Sequence, residues 1–188
     1  GSLLAKGYAF QNVDTGAYVE YSSTADMENV KVVKCPHSDV TPKENHTGAE
    51  CKYCGASFAA TLDDAPYGTI DAAITDWLKN GGTLKLHDNA STDPDFSSGS
   101  DNPFIIDLNG HKFVHSGSGR IKLSGRKSLT IRDSGQNGEF SSLTVDSGTL
   151  TLESGCLLGL TVPSDSTAKI FLQGGKVQTI TCPYPAYT

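Results

Sequence analysis

The chain has 188 residues, of which 37% are hydrophobic and 19% charged, with 20 glycines and a formal net charge of −6. An acidic balance with no basic-aromatic run argues against a nucleic-acid surface, which needs a basic face, and no apolar run reaches the ~20 residues of a membrane span. Low hydrophobicity with many turn glycines suits a solenoid, whose core is thin. No basic-then-apolar leader opens the chain, Gly1-Ser2 has the look of an expression scar, and the whole reads as a fragment of something longer.

Residues 3 to 34 form a small β element in this reading. Tyr8 and Phe10 alternate with polar neighbours, Asp14-Thr15-Gly16 makes a turn, and Tyr18 to Tyr21 resumes an extended run, so a hairpin is expected to cover one end of the segment that follows. That segment carries Cys35-Pro36-His37 and Cys51-Lys52-Tyr53-Cys54-Gly55, with residues 38–50 between them. C-x-H and C-x-x-C have the layout of a closed tetrahedral zinc site, because two ligands on one tight turn converge only when one or two residues separate them. Gly55 is expected to take a left-handed or close backbone conformation and free amide groups for thiolate sulfur. His37 to Glu50 holds almost no core-forming residues, so a metal would be its main source of order. Cys35, His37, Cys51 and Cys54 are therefore read as ligands of a structural zinc ion, with four protein ligands leaving no open catalytic position. His46 is the reserve ligand, displacing His37 if the loop folds inward. Two rival readings stay open: a redox pair at Cys51 and Cys54, which lacks the strand-then-helix context of such pairs, and disulfides, which would make the C-x-H spacing a coincidence.

Phe58 to Pro66 reads as a linker. A helix follows from about Ile70 to Lys79, since Ile70, Ala73, Ile74, Trp77 and Leu78 fall on one stripe. Thr69 suits the N-cap, Asp71 the positive helix start, and Asn80-Gly81-Gly82 the stop. Lying just before the strand Thr83 to Leu86, the helix is expected to close the open end of the first coil, with Trp77 as the plug. His87 to Pro103 is rich in Ser, Asp, Asn and Gly. Asp88, Asp93, Asp95 and Asp101 fit no calcium-loop spacing, so the stretch is expected to be a solvated excursion. Asn45-His46-Thr47 and Asn89-Ala90-Ser91 are glycosylation sequons, relevant only in a secretory host.

From Leu84 to Cys182 the sequence repeats. Leu84/Leu86, Ile106/Leu108, Leu129/Ile131, Leu150/Leu152 and Ile170/Leu172 recur at intervals of 22, 23, 21 and 20 residues. A second ladder runs through Ile121/Leu123, Leu143/Val145, Leu160/Val162 and Ile180/Cys182, and a third through Phe113, Phe140, Leu157 and Val177. Each pair sits at i and i+2, so both members face one way. Glycine-bearing turns follow the first ladder at Asn109-Gly110, Ser134-Gly135, Ser154-Gly155 and Gly174-Gly175. Three short strands per coil, stacked about 4.8 Å apart, make a parallel β-helix. Asp107, Asn109 and His111 are then expected to point outward, and the column Asp107, Thr130, Thr151, Phe171 gathers no acidic cluster of the kind a lyase or hydrolase needs. Cys156 should face out and Cys182 in, so both are expected to be free thiols, Cys182 as a small core residue.

Gly68 to Leu86 resembles the capping helix and first strand of pectate-lyase-like parallel β-helices, and Phe104-Ile-Ile-Asp-Leu-Asn-Gly-His-Lys-Phe113 resembles a coil phrase of secreted bacterial solenoids. C-x-H…C-x-x-C-G ahead of such a solenoid is similar to modules of cell-wall-attached surface proteins of Gram-positive bacteria. The expected fold is thus all-β: residues 61–188 a capping helix plus a right-handed, single-stranded parallel β-helix, residues 1–60 a small β and zinc-ribbon-like module. The resemblance implies a non-catalytic structural or adhesive module of an extracellular bacterial surface protein, flanked by further modules and contacting host protein or glycan. The alternative is a fragment of a β-helix polysaccharide lyase or glycoside hydrolase, although no motif here matches the catalytic residues of pectate lyases.

Overall fold

The computed structural model describes residues 4–20, 29–43, 48–96, 100–117 and 120–182. His46 and the sequon at Asn45 lie outside the described residues. The chain opens with β1 (Tyr8–Asn12) and β2 (Val30–Lys34), paired antiparallel from Tyr8↔Lys34 to Asn12↔Val30. The valine run is the full strand partner of β1, and the expected return after Asp14-Thr15-Gly16 also forms as far as it is described. Tyr18 bridges antiparallel to Gln11, Asn12 N donates to Ala17 O at 2.8 Å and Val19 N to Phe10 O at 2.9 Å, while Tyr21 lies outside the described residues. The inner face is the opposite of the expected one. Ala9 is fully buried while Tyr8 is 49% exposed, because only a small residue fits against the cysteines behind this strand.

Next come β3 (Val40–Pro42), β4 (Ala49–Cys51) and β5 (Ser57–Phe58), a three-stranded antiparallel sheet. β6 (Ala60–Leu62) and β7 (Ala65–Tyr67) follow, so the supposed linker is a hairpin and the division at residue 60 falls where β6 begins. Asp63 and Asp64 turn it, both with positive φ (45° and 66°), the conformation of a type I′ turn and one that aspartate tolerates. Ala60↔Leu86 and Leu62↔Leu84 place β6 antiparallel on the first strand of the solenoid.

Helix α1 (Ile70–Asn80) has the expected limits and caps. Thr69 Oγ1 accepts from Ala72 N at 3.4 Å, and Gly81, at φ 73°, donates to Trp77 O. Ala73, Ile74 and Trp77 are buried. Trp77 meets Phe96 and Phe104 edge-on, both with centroids 5.5 Å away, and its Nε1 donates to Gly82 O at 2.9 Å. Helix and β6–β7 hairpin together close the first coil, which shields its apolar interior from water.

The coils are β8 (Gly82–Leu86) and β9 (Ala90–Thr92); β10 (Phe104–Asp107), β11 (Lys112–His115) and β12 (Ile121–Leu123); β13 (Ser128–Arg132), β14 (Glu139–Phe140) and β15 (Leu143–Val145); β16 (Thr149–Leu152), β17 (Cys156–Leu157) and β18 (Leu160–Thr161); and β19 (Lys169–Leu172), β20 (Lys176–Val177) and β21 (Ile180–Thr181). They stack into three parallel sheets, β8-β10-β13-β16-β19, β9-β11-β14-β17-β20 and β12-β15-β18-β21. The second and third ladders hold as read: Phe113, Phe140, Leu157 and Val177 are in register, as are Ile121, Leu143, Leu160 and Ile180. Phe113 and Phe140 stack nearly parallel, centroids 5.0 Å apart.

The first ladder slips once. Ile106 pairs with Ile131, and Phe104 with Leu129, so the inward column is Leu84, Ile106, Ile131, Leu152, Leu172, with intervals of 22, 25, 21 and 20. A two-residue slip keeps every side chain on its face, which is why the inward assignments survive. It does move the outer ones: Asp107 stands beside Lys85 and Arg132, not Thr130.

His87 to Pro103 is not wholly a solvated excursion. Ala90 and Phe96 are buried in the core, and the backbone at Asp95 makes an isolated parallel β-bridge with Lys122, so the stretch supplies the rest of the first coil. Lys127 reaches back to it, donating to Ser100 O and Asp101 Oδ1, both at 2.8 Å. Cys156 and Cys182 are both free thiols, as expected, but Cys182 is exposed and not a core residue. It follows β21 in the last coil among the described residues, where the inward-pointing Leu172 and Ile180 are themselves 51% and 57% exposed. The turns are tight. A Cβ on Gly135 would lie 2.5 Å from both Asn109 C and Gly110 N of the coil below, so only glycine fits there.

Candidate metal centre

β2 ends at Lys34 and delivers Cys35, whose N–H donates to Gly7 O at 2.9 Å across the first hairpin. Two residues on, His37 takes φ 53°, a left-handed conformation that a histidine seldom adopts. β4 ends at Cys51, and the turn into β5 brings Cys54 back towards it. Gly55 has the expected positive φ (62°), but its N–H donates to Cys51 O at 2.9 Å and not to sulfur. That bond closes the Cys51–Cys54 turn, so the glycine positions the ligands through backbone geometry.

The four predicted residues meet. Their ligand atoms, one from each of Cys35, His37, Cys51 and Cys54, all lie within 4.8 Å of one another. Cys35 Sγ is 3.5 Å from Cys51 Sγ, and Cys54 Sγ is 3.4 Å from His37 Nδ1. None is in a disulfide. The three cysteines are buried with Ala9 and Phe58, Tyr18 and Tyr53 pack beside them, and the His37 ring stands edge-on to Phe58 at 5.0 Å.

Burial sets the chemistry. It pushes the Cys35 thiol up to about 12, with the neighbouring Cys51 and Cys54 adding to the effect against a backbone hydrogen bond at His37 that lowers it. Burial, seconded by Lys34, holds His37 below the ordinary histidine range, which keeps the imidazole neutral and its lone pair free. A Cys35 thiol that is costly to ionise in an apolar pocket, converging with Cys51, Cys54 and a neutral imidazole, belongs to a donor set that a cation would bring into its ligating form. The residues fit a bound metal ion, and among the described residues no other group of His, Cys, Asp and Glu converges in this way. The acidic residues of the first coil are occupied separately: Asp93 pairs with His115 at 2.7 Å and Asp101 with Lys127.

A second polar feature escaped the sequence reading. A cavity of about 380 Å³ on the outer face of the first sheet is lined by Thr61, Asp63, Asp64, Thr83, Lys85, Asp107 and Arg132. The β6 hairpin builds one wall of it, and that hairpin was read as a linker. Alternation in Ala60-Thr61-Leu62 before Asp63-Asp64 was the available signal. Asp107 faces out of the coil as expected but is only 3% exposed. Its Oδ1 accepts from Asn109 N and Ser134 N, and Oδ2 lies 3.6 Å from Arg132 Nε. Asp63 Oδ1 accepts from Thr83 N at 2.8 Å. Two of the three carboxylates are thus engaged in holding backbone.

No protein-family model, curated protein or solved structure matches the chain.

Proposed function

We propose that this chain is a non-catalytic structural and adhesive module of an exported bacterial surface protein, stiffened by its coils and stapled at one end by zinc. The observation that carries the reading is the stack of five parallel rungs in one sheet, where one of the outer columns runs Thr83, Ile105, Thr130, Thr151, Phe171 without a titratable group. Such a stack gives length and rigidity while its outer positions remain free to vary. Three thiols and one imidazole are a donor set of soft ligands, and tetrahedral zinc with bonds of about 2.0–2.3 Å separates its ligand atoms by roughly 3.5–3.8 Å. Sulfur and imidazole donors favour zinc over a hard cation, and the gaps of 3.5 and 3.4 Å lie close to that separation. The likeness to pectate-lyase-like solenoids and to Gram-positive surface modules supports an extracellular setting, with host protein or glycan as the partner.

The test is binding by the zinc-loaded protein to panels of extracellular-matrix proteins and glycans, alongside fractionation of the source cells. Saturable binding to one class and recovery in the wall fraction are expected. Recovery in the cytoplasm would sink the proposal.

One observation favours a second reading, a fragment of a polysaccharide lyase or hydrolase: the cavity where Lys85, Asp107 and Arg132 stand side by side on successive coils. Release of reducing or unsaturated ends from an acidic polysaccharide, abolished in Arg132→Ala, would establish it.

A further inference from the structure

His87 follows β8 where the three-stranded sheet of the metal centre meets the first coil. Its backbone ties the two regions together. The His87 N–H donates to Ala59 O at 2.9 Å, and its carbonyl accepts from Gly48 N at 2.6 Å. Gly48 leads into β4, which carries Cys51, and Ala59 joins β5 to β6. The side chain is buried, 8% exposed, and among the described residues neither Nδ1 nor Nε2 has a hydrogen-bond partner.

A neutral imidazole has one donor and one acceptor, so the junction already tolerates two unused polar atoms. An imidazolium would add a second unpaired donor and a buried charge, which is far more costly. Among the described residues, the ionisable groups acting on the ring are Lys85 from its own strand and Asp107 and His111 from the next coil. Lys85 and His111 oppose a positive charge. Asp107 favours one, but its Oδ1 already accepts from two backbone amides and its Oδ2 faces Arg132. Among the described residues, the metal-centre side meets His87 through the backbone hydrogen bonds at Gly48 and Ala59.

We propose that His87 is an acid-sensitive latch: neutral, it lets the metal-centre sheet seat against the first coil, and protonated, it releases the Gly48–His87–Ala59 strap. Burial holds the ring below the ordinary histidine range in the closed state, so the opened state binds the proton first. The closed junction therefore keeps its full stability above about pH 6.5 and loses it as the pH falls from there towards the lower value of the seated ring.

The experiment is amide hydrogen exchange on the zinc-loaded protein from pH 7.5 to 5, corrected for intrinsic rates, with zinc content measured on the same samples. Protection at the Gly48 and His87 amides is expected to fall by up to tenfold per pH unit below about 6.5, while Leu129 and Leu150 in the coils stay protected. In His87→Phe, which fills the space and cannot protonate, the pH dependence should vanish. His87→Gln repeats the test should the phenylalanine variant fail to fold. Acid-driven loss of zinc is distinguishable, because it would release the Cys51 and Gly55 amides, which donate to Ala56 O and Cys51 O, and would persist in both variants. The latch is overturned if the variants lose protection at Gly48 along the same pH curve as the parent, or if His87 titrates as a solvent-exposed histidine with the Gly48 amide unmoved.

Discussion

The solenoid and the metal-centre module are ordered by opposite means. In the coils, Leu, Ile and Phe repeat at every rung, and each buried side chain of that size contributes about 1.5–3 kcal/mol. The load is spread over many interchangeable contacts. The module's buried hydrophobic set is Ala9, Cys35, Ala49, Cys51, Cys54 and Phe58, three of the six being thiols. Apolar burial on that scale is too small to hold three short strands and a hairpin by itself. Order distributed along a ladder tolerates local damage, whereas order concentrated in four atoms does not.

Removing one of those atoms should give the largest effect. Cys51→Ser is expected to lower bound zinc from about one equivalent to near zero and to strip the module of folding free energy on the order of 10 kcal/mol, the scale of structural zinc sites. Metal analysis gives the first number. Hydrogen exchange gives the second, since amides of β4 and β5 should lose protection while those of β13 and β16 keep theirs. Protection lost throughout the coils as well would mean that the two regions fold as one unit.

Trp77→Ala strikes the other side of the comparison. The indole is fully buried between Phe96 and Phe104 at the capped end. Truncating it should cost about 3–5 kcal/mol, measured as a fall in the denaturation midpoint, with zinc stoichiometry unchanged. A drop in bound zinc would show that the cap supports the metal centre through β6.

The same contrast governs what could be read without coordinates. Apolar residues at i and i+2 in every coil announce both strands and facing, so Ile121, Leu143 and Leu160, and Phe113, Phe140 and Leu157, could be placed before their partners were known. The slip at Leu129 was invisible because the coil from Phe104 to Leu129 is longer than its neighbours and the inward pattern looks identical two residues either way. The four ligand residues were legible because C-x-H and C-x-x-C are local geometric demands. What surrounds them was not: β6 pairs with β8 across 19 residues of hairpin and helix, and the backbone of His87 bonds to Gly48 and Ala59, neither of which carries a signal of its own. Cys182 shows the remaining limit. Its position in the ladder predicts an inward core residue, but burial depends on neighbouring coils as well as on register, and Cys182 is exposed.

The smallest effect tests whether the ladder also relies on concentrated polar contacts at its corners. Asp133 Oδ1 accepts from Gly110 N at 2.6 Å, in the coil below, and from Gly135 N at 3.2 Å, while Oδ2 accepts from Gly138 N at 2.8 Å. One carboxylate thus serves three amides at a turn where the glycines leave no side chain to help. Water can reach part of this turn, so Asp133→Ala is expected to cost about 2 kcal/mol, less than three fully buried unsatisfied amides would. The check is a urea titration, with a lower midpoint and an unchanged slope. Asp133→Asn should not rescue it, because the amide group would turn an N–H towards the Gly138 donor or abandon the Gly110 bond. A cost below about 0.5 kcal/mol would mean that rung stacking alone fixes the corner, and the solenoid would then differ from the metal module even more sharply than its buried residues suggest.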